Sequence, residues 1–176
     1  MVSTLAPDRT FTVHRVTPAD AARMRALRLE MLADSPLAFL ETLAQAAARP
    51  HEDYRRRIIQ ASAGRQVAQF IADPGHRGRL IGHAGGTVLP EEPTVTVVFA
   101  VYLTPARRGG PVLAALVEAV AEWSRSVDRP DLMLEVVVGN ERAVRAYERL
   151  GFTDTGVRVP HPVLPALTEL QMRRRA

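Results

Sequence analysis

Apolar and polar positions alternate from Phe11 to Val16 (FTVHRV), the two-residue period of a half-buried strand. Thr17-Pro18-Ala19-Asp20 places a hydroxyl cap before a proline at a first helical position, so a helix starts there. Met24, Leu27, Met31 and Leu32 recur near helical spacing and carry it to Leu32. Asp34-Ser35-Pro36 breaks the pattern, and Leu37 to Ala48 reads as helical again. After Pro50, His51 to Ala61 predicts another helix, whose polar face carries Arg55-Arg56-Arg57.

Beyond Ala61 the period changes. Arg65–Ala72, Arg79–Leu89 and Thr94–Leu103 read as strands joined by Asp73-Pro74-Gly75 and Pro90-Glu91-Glu92-Pro93, which is turn chemistry. Short connections imply an antiparallel meander. Glycines at 82, 85 and 86 predict a bulge or a close backbone approach in the middle strand. A helix from Pro111 to about Val127 leads to a buried-type strand, Leu132–Val138, and strand, crossover helix, strand is a parallel unit. Asn140 opens a further helix with Ala143, Val144, Tyr147 and Leu150 on one face, stopped by Gly151. Phe152–Val159 and Thr168–Arg173 are the last strands, on either side of a loop holding Pro160, Pro162 and Pro165. The expected fold is a single α/β domain over 1–176: a central mixed sheet of about six or seven strands, with meander and parallel unit, flanked by helices on both faces.

The stretch Val97–Val120 organises the rest. A strand runs into a basic glycine loop, Arg107-Arg108-Gly109-Gly110, and Pro111 opens an apolar helix. The first amides of a helix lack intrahelical partners and sit at the positive end of its dipole. With glycines allowing close approach, the natural guest is a phosphate or pyrophosphate.

Composition narrows the field. No apolar run approaches the roughly 20 residues of a membrane span, and Met1–Asp8 lacks the regions of a signal peptide, so the expected location is cytoplasmic. The chain has no cysteine, which removes disulfides, thiolate metal sites and a cysteine nucleophile. The histidines (His14, His51, His76, His83, His161) are scattered, and no metal is expected. Net charge is +4, but every one of the 23 basic residues is arginine and, apart from Arg55-Arg56-Arg57 and Arg173-Arg174-Arg175, they are dispersed among few aromatics. A stacking platform for bases is not expected, nor is a nucleic-acid partner.

Two stretches then resemble the GNAT superfamily of acetyl-CoA-dependent N-acetyltransferases. One is VYLTPARRGG with its apolar helix; the other is Asn140-x-x-Ala143-x-x-x-Tyr147-x-x-Leu150-Gly151-Phe152. A third, Ser35-Pro36-x-Ala38-Phe39-x-x-Thr42, is similar to the segment near the acceptor site in many members. Order and spacing agree from about Phe11 to Met172. The resemblance implies acetyl-CoA as acyl donor, an amine acceptor, and a possible homodimer. It assigns the pantetheine arm to the backbone of Val101, Tyr102 and Leu103, exposed where a strand splays from its neighbour. It assigns the pyrophosphate to Arg108, Gly109, Gly110, Val112 and Leu113, and further cofactor contacts to Asn140, Ala143 and Tyr147.

Direct acetyl transfer needs a deprotonated amine, a polarised thioester and a proton for the departing thiolate. The resemblance makes Tyr147 the general acid; a tyrosine packed at a helix–sheet junction is the plainer alternative. Many relatives carry a glutamate on the third meander strand, where this chain has Val97-Val98-Phe99. Glu135 is the candidate base instead, in spacing similar to ribosomal-protein N-terminal acetyltransferases; a carboxylate in an apolar strand should face a cavity or solvent. Phe39 and His83 are candidate acceptor contacts, His83 also a secondary base, and Asn140 is both helix cap and cofactor contact. The pyrophosphate loop departs from the family's Arg/Gln-x-x-Gly-x-Gly/Ala pattern, with Pro111 and Leu113 at glycine positions. Pro111 has no N–H. The function expected is acetyl transfer from acetyl-CoA to a primary amine, on a small molecule or a protein; the alternative is a non-catalytic binding module on the same fold.

Overall fold

The computed structural model describes residues 11–75 and 78–176; the expectations for Met1–Asp8 and His76 lie outside them. Among the described residues seven strands form one sheet: β1 (Thr12–Arg15), β2 (Val67–Asp73), β3 (Gly82–Leu89), β4 (Glu92–Leu103), β5 (Asp131–Val137), β6 (Thr153–Pro160) and β7 (Thr168–Arg175). Their spatial order is β1-β2-β3-β4-β5-β7-β6, antiparallel throughout except for β4 beside β5. The helices are α1 (Ala21–Asp34), α2 (Leu43–Ala48), α3 (His51–Ser62), α4 (Val112–Ser126) and α5 (Glu141–Glu148).

Two cores lie on opposite faces of the sheet. One gathers Leu116, Val117, Val120 and Trp123 of α4 against Ala68, Phe70, Ala84 and Val98. The other packs Met24, Leu27 and Met31 of α1 and Ile58 of α3 against Ile71 and Tyr102. Glycines in β3 allow the close approach: a Cβ on Gly85 would enter the Phe99 ring, and one on Gly86 would come within 2.8 Å of Trp123. Ser124 ties the first core to the β4–β5 junction. Its hydroxyl, wholly buried, lies 2.7 Å from both Thr96 Oγ1 and the Arg129 carbonyl. A carbonyl only accepts, so Ser124 donates to Arg129 and Thr96 donates to Ser124.

One expected helix is shorter than its pattern. Instead of running from Leu37 to Ala48, the chain makes a single 3-10 turn at Pro36–Ala38, goes extended at Phe39, and restarts at Leu43. Two local interactions decide this. Thr42 and Gln45 form a capping box that fixes the start of α2. Glu41 is held by Arg28 and Arg49 outside any helix. Strand β3 begins at Gly82 rather than Arg79, and α4 at Val112, with Pro111 as its cap residue rather than its first helical one.

Candidate active site

Strands β4 and β5 pair only at Val95–Asp131, Thr96–Leu132 and Val97–Met133. From there they part, because β5 continues in register with β7 while β4 turns away at a bulge. His83 faces Tyr102 and Gly85 faces Phe99, so Ala100 and Val101 together oppose Ala84. Ala100 takes the left-handed conformation (φ 50°) that the extra residue needs. The gap is a cavity of about 610 Å³ whose walls include Val98–Val101 on one side and Leu134–Val138 on the other. It continues into a second cleft of about 340 Å³ that runs along Val101, Tyr102 and Leu103 to Arg108, Gly109 and Leu113, facing α5. Asn140, Ala143 and Tyr147 line both. The structure thus brings most of the sequence-derived cofactor residues around one continuous cleft.

Two candidates fall outside it. The Val112 side chain is 1% exposed and belongs to the α4 core, so only its backbone faces the loop. Gly110 is exposed in the turn before α4. The turn itself needs Gly109, whose φ is +79°. The first amide bonded into the helix is Ala115, to the Pro111 carbonyl at 3.1 Å. Val112, Leu113 and Ala114 therefore place their amides ahead of the ladder. Pro111 stands before all three, and its missing N–H removes nothing from that set.

Arg108 is braced. Its Nε donates to the Leu103 carbonyl at 3.1 Å, its guanidinium lies over the Tyr102 ring at 5.7 Å, and it pairs with Asp34. Cationic reach into the cleft also comes from two residues that sequence reasoning missed, Arg142 and Arg149 of the α5 segment. Their seven-residue spacing puts them on one helical face, which was the available signal.

Tyr147 packs edge-on against Phe152 at 5.7 Å. Its ring is half-buried, and its hydroxyl has no hydrogen bond to another described residue. Desolvation pushes its pKa up, so the phenol keeps its proton at neutral pH. Tyr102, by contrast, has its hydroxyl engaged, donating to Glu30 at 3.2 Å; burial, with Glu30 nearby, pushes it up to about 12.

Glu135 is the exposed position of an otherwise mostly buried strand and lines the larger cavity. Glu169 lines it too and was missed: on β7 it alternates with the buried Leu170, but its register was hidden behind the proline-rich loop. Glu135 faces Gln171 and Val137 faces Glu169, so the two carboxylates are diagonal neighbours on adjacent strands. Desolvation raises the Glu169 pKa, His161 opposes that rise, and the charge of Glu135 adds to it.

Phe39 lines both clefts, with Arg28 stacked 5.3 Å over its ring. His83 is elsewhere. It is 3% exposed on the α1–α3 face, its Nδ1 bonded to the Ala100 carbonyl at 2.7 Å, and it lines a separate, smaller cavity. Burial depresses it to about 4, so it is neutral. Among the described residues no cluster of three metal-ligating side chains forms, and no helix is long and apolar enough to cross a membrane.

A model of the acetyltransferase (GNAT) family matches residues 30–152. Mycothiol acetyltransferase of Mycobacterium avium (strain 104) is 34% identical over 111 residues, covering 59% of this chain and 35% of the relative. The chain therefore spans about a third of the length of that curated relative. Among solved structures, a GNAT-family acetyltransferase from Streptococcus pneumoniae superposes with a TM-score of 0.77 at 15% identity, covering 94% of this chain and 98% of the other. The yncA protein of Salmonella typhimurium, solved with its cofactor acetyl-CoA, gives 0.71 at 16% identity over 94% and 93%.

Proposed function

Because the chain belongs to the acetyltransferase (GNAT) family, we propose that it moves the acetyl group of acetyl-CoA onto the nitrogen of a primary amine. The observation that carries this reading is the parting of β4 from β5 after Val97 and Met133, which opens at the N-terminus of α4. The cleft suits a long, anionic thioester. Unpaired amides of Val112, Leu113 and Ala114 meet a pyrophosphate, with Arg142 and Arg149 supplying positive charge. The free edge of β4 from Val98 to Leu103 offers backbone groups to an extended amide arm.

Acetyl-CoA supplies an activated acyl carbon when bound. Glu135 takes a proton from the acceptor ammonium, directly or through water, and frees the nitrogen lone pair. As the new C–N bond forms and the C–S bond breaks, the nitrogen gives up its second proton to water, Tyr147 gives its hydroxyl proton to the departing sulfur, and the phenol recovers one from solvent. Glu169 lies beside Glu135, where its raised pKa suits it to share that proton. A non-catalytic module gains no support from Pro111, since the proline precedes the amides that matter. The test is thiol release from acetyl-CoA across a panel of primary amines. Amine-dependent release supports the reading; bound acetyl-CoA that no amine discharges would overturn it.

A further inference from the structure

Behind the β4 bulge lies a second cavity, of about 150 Å³, on the α1–α3 face of the sheet. Phe99 and Ala100 line both this cavity and the large one between β4 and β5, so the two spaces back onto the same turn of chain. Its apolar part comes from Met24, Met31 and Ile58. Its polar part is unbalanced.

Arg28, Arg49 and Arg57 all border it. Among the described residues Glu41 alone answers the first two, pairing with each; burial would lift its carboxyl, but hydrogen bonds from Arg49 and Arg28 outweigh this and hold it low. Arg57 is exposed at the rim and has no hydrogen bond or ion pair to another described residue. One carboxylate thus stands against three guanidiniums. Two further groups are unused. The Gln69 side-chain amide has no hydrogen bond to another described residue. The His83 Nδ1–H donates to the Ala100 carbonyl, which leaves Nε2 as a bare lone pair, closed to solvent and without a partner among the described residues. A buried acceptor without a donor carries a desolvation cost that a ligand N–H or O–H would relieve.

Excess guanidinium, a free amide and a lone-pair nitrogen around a small apolar space define a recognisable guest. We infer that this cavity is a subsite for the acceptor, and that the acceptor is an amine that also carries a carboxylate. The guanidinium of Arg57, with the surplus charge of Arg28 and Arg49, meets the carboxylate in the forked geometry arginine favours. His83 Nε2 accepts a hydrogen bond from an N–H or O–H of the same molecule. The amine then reaches past Phe99 and Ala100 toward the gap between β4 and β5. This rests on the acetyl-transfer reading for the direction of the amine, but not for the binding itself.

The experiment uses matched pairs, 4-aminobutyrate with 4-aminobutanamide and phenylalanine with phenylalaninamide, titrated calorimetrically into the protein with CoA present, so that no reaction occurs. The carboxylates should bind about tenfold tighter than their amides. Arg57→Gln, a substitution at an exposed and unpaired side chain, should shrink that preference to about threefold or less, and Arg57→Lys should restore part of it. Equal affinity within both pairs, a preference that Arg57→Gln leaves intact, or no binding of any member at millimolar concentration would overturn the subsite. A protein that prefers the carboxylates yet binds no CoA keeps the subsite and refutes the acetyl-transfer reading, so the two failures are separable.

Discussion

The Nδ1 nitrogen of His83 lies 2.7 Å from the carbonyl oxygen of Ala100, the residue whose left-handed backbone makes the bulge in β4. A buried side chain on β3 thereby fixes the turn of chain that separates β4 from β5. The bond also fixes the tautomer, with the proton on Nδ1.

Burial of the same imidazole, which outweighs the opposing effect of that bond, gives a pH signature. The folded pKa of His83, about 4, lies below the ordinary imidazole value near 6.5. Protons therefore bind the unfolded chain first, and stability falls as pH drops from about 6.5 toward 4, while above this window the histidine adds no pH dependence. His83→Asn keeps a donor for Ala100 but cannot titrate. It should be less stable than the parent at pH 7.5, with the gap narrowing by pH 5 in thermal melts. A gap constant across that range would contradict neutral, buried His83.

Tyr147 has a desolvated hydroxyl at the wall of both clefts and no hydrogen-bond partner among described residues. Tyr147→Phe should lower kcat by about 100-fold, in the range of a lost general acid, with acetyl-CoA affinity nearly unchanged. A packing role alone would spare kcat and lower the melting temperature instead.

Glu135 raises the pKa of Glu169 through its negative charge. Glu135→Gln should therefore let Glu169 ionise at lower pH, read by carbon-13 NMR of the labelled carboxyl, and should lower kcat/KM by about 100-fold if Glu135 is the base. Glu169→Gln should cost less activity. Loss on Glu169→Gln with none on Glu135→Gln would exchange their roles.

Ser124 binds Thr96 and the Arg129 carbonyl at the last paired stretch before β4 and β5 part. Ser124→Ala leaves both partners buried and unpaired and should destabilise the fold by about 1–3 kcal/mol in denaturant melts. Acetyl-CoA affinity should change little, because the network lies outside the cleft.

Much of this was legible in the chain. The two-residue and helical periods of FTVHRV and of Met24, Leu27 and Met31 gave the elements, and the run from Val97 to Val120 marked the cleft's entrance. The capping box of Thr42 and Gln45 is also present as letters, but the apolar run from Leu37 masks it and extends the helical pattern too far back. Glu169 could not be placed, because only the pairing of β7 with β5 brings it beside Glu135. The cavity under α1 and α3 is further from view still, since Arg28, Arg49, Arg57 and His83 meet only through packing of distant segments.

The central claim is that the gap between β4 and β5 and the N-terminus of α4 hold acetyl-CoA. Calorimetric titration of the purified protein with acetyl-CoA, beside its Arg142→Gln/Arg149→Gln variant, tests it most directly. Micromolar binding is expected, roughly −8 kcal/mol, weakened about tenfold in the variant and falling as salt screens the charges. No binding at millimolar acetyl-CoA would contradict it.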